Sequence, residues 1–508
     1  MIAVKLVAAA LAAAVLAPMP AAAAPAAPTA ATTATGTAAD TATAESAPAS
    51  ASPLTPKPAP ITWQPCTDPD FKGLDCGTTR VPVDWSRPRA GEISLSLIRR
   101  KADEPARRIG SLLLNNGAGG SSIEQLRYAI RFGFVEQLPV GKRFDLVAVD
   151  PRGVGHSTPT TCANRPERAP GVTYFPANEQ QYRALVENNR ALAAACENQQ
   201  LLANVDLAST ARDMEAVRIG LGEKQLNWYG IHYSTLLGKT YAQLFPGRLR
   251  TLFADSALDD AQSPIARLAA EISTAEQSFN RFVDWCRTDA QCVLHGQDVA
   301  GLFDRLVADA DRRPIATKDP RRSLSGEDIR SAMQDFLNIR FPQWPETAQA
   351  IKQAVAGDAT AFTVVQDKTL NRVQALTRAC LDTTPAATGY AELAQLALMA
   401  KQLSPHLGGA VQGWSHLAGC QGWPVRTKQP VTAPLRDLPP ALIVQSTHQS
   451  SAAYQWGFGL SARLPGSVVL SREGDDYSMI LFSPCVRDAM DTYLTERRLP
   501  APGALCTN

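Results

Sequence analysis

The sequence predicts an α/β fold: a mostly parallel central sheet with a long helical segment inserted before its last strands. Three observations lead there. Short apolar runs alternate with amphipathic stretches up to residue 254. From 258 to 432 the pattern turns helical, without a convincing buried strand. Two more strand-like runs, 441–445 and 467–471, then return. As a separate domain those last strands would be orphans, so one interrupted domain is the simpler reading.

The elements follow in order. Residues 1–24 read as an export signal, with a weakly positive start, an apolar run from Leu6 to Leu16 and small residues up to Ala24. That run is short for a membrane span, and Pro18 and Pro20 break it. No later stretch is long and apolar enough to span. Residues 25–58 are mostly Ala, Thr, Pro and Ser, too poor in bulky apolar groups to offset ordering entropy, and read as a disordered linker. The core's first part, 59–257, carries strands at 81–85, 93–99, 110–114, 144–149, 226–229 and 249–254, and helices at 210–221 and 234–245. A helical lid is expected over 258–432. The core resumes over 433–508 with the last two strands and a helix near 486–493.

Composition narrows the function classes. The net charge of +2 and the absence of Lys/Arg runs exclude a dedicated nucleic-acid surface. Ten cysteines, Cys66, Cys76, Cys162, Cys196, Cys286, Cys292, Cys380, Cys420, Cys485 and Cys506, are an even count suited to disulfides in an exported chain. Nearest-neighbour pairing would close five loops, although sequence does not dictate connectivity. No C-x-x-C pair occurs, so no metal site is expected, and no cofactor. Nothing in the sequence specifies an oligomeric state.

The sharpest local signal is Gly230-Ile231-His232-Tyr233-Ser234, where a strand turns abruptly into a helix. A nucleophile elbow, G-x-S-x-G, has this form, with small residues flanking a strained corner. Here the corner residue is histidine. The segments 115–122, 144–159, 210–222, 227–248 and 483–506 together resemble the secreted tripeptidyl aminopeptidase and proline iminopeptidase branch of the α/β-hydrolases. Most of the chain after residue 60 shares that resemblance, least so the helical insertion. It implies the α/β-hydrolase fold, a peptide N-terminus as substrate, and a lid over the site.

Carried over by position, the resemblance places the family serine on His232. The acid follows the strand at 441–445 and falls on Gln449; the histidine follows the next strand and falls on Tyr477. The oxyanion loop falls on Gly117, Gly119 and Gly120, with the amide of Tyr233. A serine hydroxyl needs an imidazole to take its proton, and that imidazole needs an acid to hold it. A phenol with a reference pKa of about 10 and an uncharged amide do neither job at neutral pH. The reading is therefore a non-catalytic member that binds a peptide or small molecule. The alternative is an active serine aminopeptidase with rearranged roles: Ser234 as nucleophile, His448 as base, and Asp476 or Asp475 as acid. Ser234 stands two residues past the corner, where a helical side chain points elsewhere. Asp150, Arg152 and Ser157 read as scaffold, and His156, His295, His406 and His416 as surface or core residues. Asp259, Asp260 and Glu271 are the lid-region acids suited to a substrate ammonium.

Overall fold

The computed structural model describes residues 60–115, 120–162, 168–338, 343–363, 372–425, 427–428 and 430–507. The expected signal and linker lie outside them, as do Gly117 and Gly119. Seven strands precede the insertion: β1 (Thr62–Pro65), β2 (Asp75–Pro82), β3 (Glu92–Arg100), β4 (Gly110–Asn115), β5 (Phe144–Val149), β6 (Leu226–Ile231) and β7 (Leu249–Asp255). Within it, β8 (Ile315–Ala316) and β9 (Ser323–Leu324) form a small separate hairpin. After it come β10 (Leu442–Ser446), β11 (Val468–Arg472) and β12 (Leu505–Cys506). The large sheet has the order β1-β2-β3-β5-β4-β6-β7-β10-β11-β12. Its first three pairings are antiparallel and all those from β5–β4 onward are parallel.

Parallel strands are covered on both faces, and the period of two along each strand shows how. On β5, Phe144, Leu146 and Ala148 face one core and Val147 and Val149 the other. On β6, Tyr229 and Ile231 join the first core, Leu226 and Trp228 the second. Helices Leu207–Gly220 and Tyr233–Leu244 cover the second face with Met214, Val217, Leu237 and Tyr241. Helices Ser122–Arg131 and Pro484–Glu496 cover the first with Ile123, Leu126, Val486 and Met490.

One strand boundary departs from the periodicity. The strand expected at 81–85 is the end of β2, which stops at Pro82, because Asp84 accepts bonds from the Ser86 amide (2.9 Å) and hydroxyl (2.6 Å) and turns the chain. The short edge strands β1 and β12 have no strand signature. Disulfides Cys66–Cys76 and Cys485–Cys506 tie each to its neighbourhood. The remaining bridges, Cys162–Cys196, Cys286–Cys292 and Cys380–Cys420, complete the sequence-order pairing.

The scaffold residues behave as read. Arg152 and Asp213 are fully buried and form a forked ion pair (2.6 and 2.5 Å), and Arg152 also donates to Val83 O and Asn204 O at 3.0 Å. Asp150 accepts from the Ser121 hydroxyl (2.7 Å) and the amides of Ile123 and His156. Ser157 Oγ donates to Asp150 O.

The insertion folds around its own aromatic core of Phe279, Phe282, Trp285, Phe303, Trp344 and Trp414. Its helices include Pro264–Thr288, Val299–Arg312, Gly326–Phe336, Arg372–Asp382, Tyr390–Leu403 and Gln412–Gly419. Helix Glu179–Ala194 precedes the elbow in sequence yet packs on this layer. Leu185 enters its core, and Asn189 Nδ2 donates to Ala418 O and Gln421 O, both at 2.9 Å.

Candidate functional site

The loops after β6, β7, β10 and β11 meet at the carboxyl ends of the parallel strands, where open α/β sheets place their ligands. The corner between β6 and helix Tyr233–Leu244 is His232, with φ 53° and ψ −116°. Such a backbone costs a non-glycine residue on the order of 1–3 kcal/mol and persists only where its surroundings enforce it. Here they do. The His232 amide donates to Asp255 O at 2.9 Å, and the Thr235 hydroxyl donates to His232 O at 2.6 Å. At Gly230 a Cβ would stand 2.5 Å from Ser234 O, so only glycine admits the turn.

The imidazole is half-buried, and its Nε2 faces Ser451 O at 3.3 Å. A carbonyl only accepts, so Nε2 carries the proton and Nδ1 is the acceptor. Gln449, fully buried after β10, donates through Nε2 to Ser451 Oγ at 3.2 Å. Its Oε1 is buried with no partner among the described residues. Tyr477, after β11, is held by its amide on Asn338 O (2.9 Å), and its ring lies 6.2 Å from that of His232. The three residues singled out from separate loops thus converge around the 449–451 turn. The Tyr233 amide is a first-turn N–H that helix geometry leaves without an intrahelical acceptor. Gly120 is buried beside that end of β4.

The matching family model, described as alpha/beta hydrolase fold, covers residues 110–400. The chain belongs to the α/β-hydrolase fold family. A second model, described as TAP-like protein, matches residues 405–506 of this α/β-hydrolase. It is 30% identical over 490 residues to serine protease Hip1 of Mycobacterium tuberculosis, covering 88% of this chain and 91% of that one. To tripeptidyl aminopeptidase of Streptomyces lividans it is 28% identical over 476 residues, covering 88% and 87%. To carboxylesterase B of Mycobacterium tuberculosis it is 29% identical over 487 residues, covering 88% and 89%.

Above the elbow of this α/β-hydrolase lies a cavity of about 530 Å³, of a size suited to a small ligand. His232, Tyr233 and Ser451 form part of its floor, and Arg267, Glu271, Asp382 and His416 of the helical insertion part of its wall. His416, expected at the surface or satisfied in the core, is half-buried and lines the cavity. Asp382 accepts from Tyr233 Oη at 2.7 Å and from the Leu207 amide at 3.1 Å. Neither residue has a local motif. Both stand far from the elbow in sequence, and only the folding of the lid brings them over it. Of the three acids considered for an ammonium, Asp259 and Asp260 are tied up with Arg463 (2.7 and 2.6 Å), Asp260 also with Lys239. Glu271 lines the cavity with no salt bridge among the described residues, accepting from Gln334 Nε2 (2.9 Å) and the Gly413 amide (3.1 Å).

The rearranged triad is not brought together. Ser234 is buried and its carbonyl accepts from Trp228 Nε1 at 3.3 Å. His448 pairs with Glu473 (3.3 Å) and lines a second cavity, with Ser273 and Tyr454. Asp476 pairs with Arg472 at 3.0 Å and Asp475 with Arg281 at 2.7 Å. Neither Ser234 nor Asp476 lines either of these cavities. The physical reason is the helix that starts at Tyr233: it carries residue 234 inward, away from the corner.

Burial sets the charge of the site. It lowers both His232 and His416 to about 4, with Arg378 also opposing a charge on His416. It raises Asp382 to about 7 and Asp255 to about 6. Both imidazoles are therefore neutral at pH 7. Between their folded values and the ordinary 6.5 the unfolded chain binds more protons, so their contribution to stability is lost as pH falls through that window. The two raised carboxyls act with the opposite sign over part of the same range, so the contrast between variants is the decisive quantity. His416→Gln should lose less stability than the wild type between pH 6.5 and 4, read from urea midpoints at each pH.

Proposed function

We propose that this chain is an exported, non-catalytic member of the aminopeptidase branch that binds the amino-terminal end of a short peptide. The observation that carries the reading is the elbow itself. The strained corner is kept, but it presents a neutral imidazole where the chemistry needs an activated hydroxyl. Beside it stand a phenol and an amide, neither able to take a proton at pH 7. The cavity supports a retained ligand, and the names of the relatives, a tripeptidyl aminopeptidase and a serine protease, support its class. Glu271, buried, hydrogen-bonded and with no salt bridge among the described residues, is our candidate for holding the ligand ammonium. Five disulfides support an oxidising, extracytoplasmic address, as does the leader read at 1–24. No helix of the described residues is long and apolar enough to cross a membrane.

A fluorophosphonate probe tests the chemistry. The folded protein should show no labelling above that of heat-denatured protein, while an active serine hydrolase run in parallel labels fully. Stoichiometric labelling of one serine, mapped by mass spectrometry and abolished by heating, would show an activated hydroxyl and end the non-catalytic reading.

A further inference from the structure

Helix Pro264–Thr288 brings two opposite charges to the cavity one turn apart, Arg267 and Glu271. Side chains four residues apart on a helix share a face and can meet. These two close no salt bridge with each other among the described residues. The Glu271 carboxylate is turned instead to Gln334 Nε2 (2.9 Å) and the Gly413 amide (3.1 Å), both on Oε1. A Cβ at residue 413 would clash with Glu271 Oε2, so the glycine there makes room for that oxygen. Arg267 is half-buried, and its guanidinium makes no hydrogen bond, salt bridge or ring contact among the described residues.

The cavity as a whole carries charges of both signs, and most of them are engaged. Asp206 pairs with Lys428, Asp260 with Lys239 and Arg463, and Asp84 with Arg87. Asp382 accepts from the Tyr233 hydroxyl at 2.7 Å. Arg212 is the other cavity arginine without a bonded partner, and its charge acts on Asp206, Arg152 and Asp213. Arg267 acts on a different set. Burial raises Glu271 and Tyr233 and lowers His416; the Arg267 charge works against the first two shifts and adds to the third. All three line the cavity, as Arg267 does, which places its charge with the groups around the elbow.

A guanidinium without a partner offers its N–H fork to a carboxylate in two parallel bonds. A carboxylate one turn away offers itself to an ammonium. A ligand that engages both must carry its two charges close together. An amino-terminal Asp or Glu does, because its ammonium and its side-chain carboxylate hang from one Cα. The far end of a peptide does not, since each residue adds up to about 3.3–3.6 Å of chain.

We propose that Arg267 receives the side-chain carboxylate of an acidic first residue, so that the ligand is a peptide beginning with Asp or Glu whose ammonium Glu271 holds. The inference rests on the peptide-binding reading above and adds the identity of the residue that lies next to the elbow.

Isothermal titration of the full chain at pH 7 tests it with Asp-Ala-Ala-amide, Asn-Ala-Ala-amide, acetyl-Asp-Ala-Ala-amide and free alanine, and with Arg267→Gln as the variant. The amides remove the terminal carboxylate, and Asn matches Asp in shape without its charge. The Asp peptide should bind at least about tenfold more tightly than the Asn peptide. Arg267→Gln should remove most of that preference while leaving the affinity for the Asn peptide near its wild-type value. The Asp–Asn comparison on the wild type stands even where the variant fails to fold. Equal affinity for the two would overturn the acidic-residue assignment and leave peptide binding intact. A preference that survives in Arg267→Gln would overturn the role of Arg267. Acetyl-Asp-Ala-Ala-amide binding as tightly as the free amine would overturn the pairing with Glu271. Free alanine binding as tightly as the Asp peptide would give the fork to an α-carboxylate and overturn the side-chain source. Absence of binding by all four would overturn this inference and the peptide-binding reading together.

Discussion

The triple variant His232→Ser, Gln449→Asp, Tyr477→His is expected to cleave amino-terminal peptide substrates, with turnover on the order of 10³-fold above the wild type. The backbone that such a triad needs is already in place. The corner holds its φ of 53°, the amide of residue 232 is bound to Asp255 O, and residues 449 and 477 reach the same corner from their own loops. Each single reversion should stay at the wild-type level, because a serine without a base, or a base without a serine, performs little of the chemistry. A fluorogenic tripeptide substrate read against all three single variants decides the matter. Activity in any single variant would mean that the other positions do not act as helpers. Inactivity of a folded, stable triple variant would mean that the lid or the oxyanion loop has also diverged.

The second large effect concerns stability. Arg152→Met should cost about 3–5 kcal/mol, because it strands the Asp213 carboxylate in a dry interior. Both side chains are fully buried, and Trp85 Nε1 adds a 3.0 Å bond to the same carboxylate. The pair holds the turn after β5 to helix Leu207–Gly220, which is followed after five residues by the elbow strand β6 at Leu226. Replacing both partners, Arg152→Met with Asp213→Leu, should recover a large part of the loss, since two apolar groups leave no unpaired charge. Chemical denaturation of the single and double variants gives the comparison. A single-variant loss under about 1 kcal/mol would show that water reaches the pair.

Much of this protein was legible along the chain because its determinants are local. Strands such as β5 and β6 declare themselves through runs of apolar residues, and the elbow through two small residues, Gly230 and Ser234, four positions apart in a strand-to-helix turn. The positions 232, 449 and 477 could be assigned because each sits at a fixed step after its own strand. The sequence by itself therefore determined the central strands of the sheet, the helical interruption between them and the identity of the corner side chain. What covers that corner was decided by tertiary structure alone. Arg378, Asp382 and His416 lie on lid helices whose periodicity says which face is apolar, not which strand end that face will meet. Their burial and the neutral imidazoles arise where the insertion helices pack over the strand ends and exclude water from all of them at once. Desolvation depends on every neighbour in space, and no local pattern encodes it.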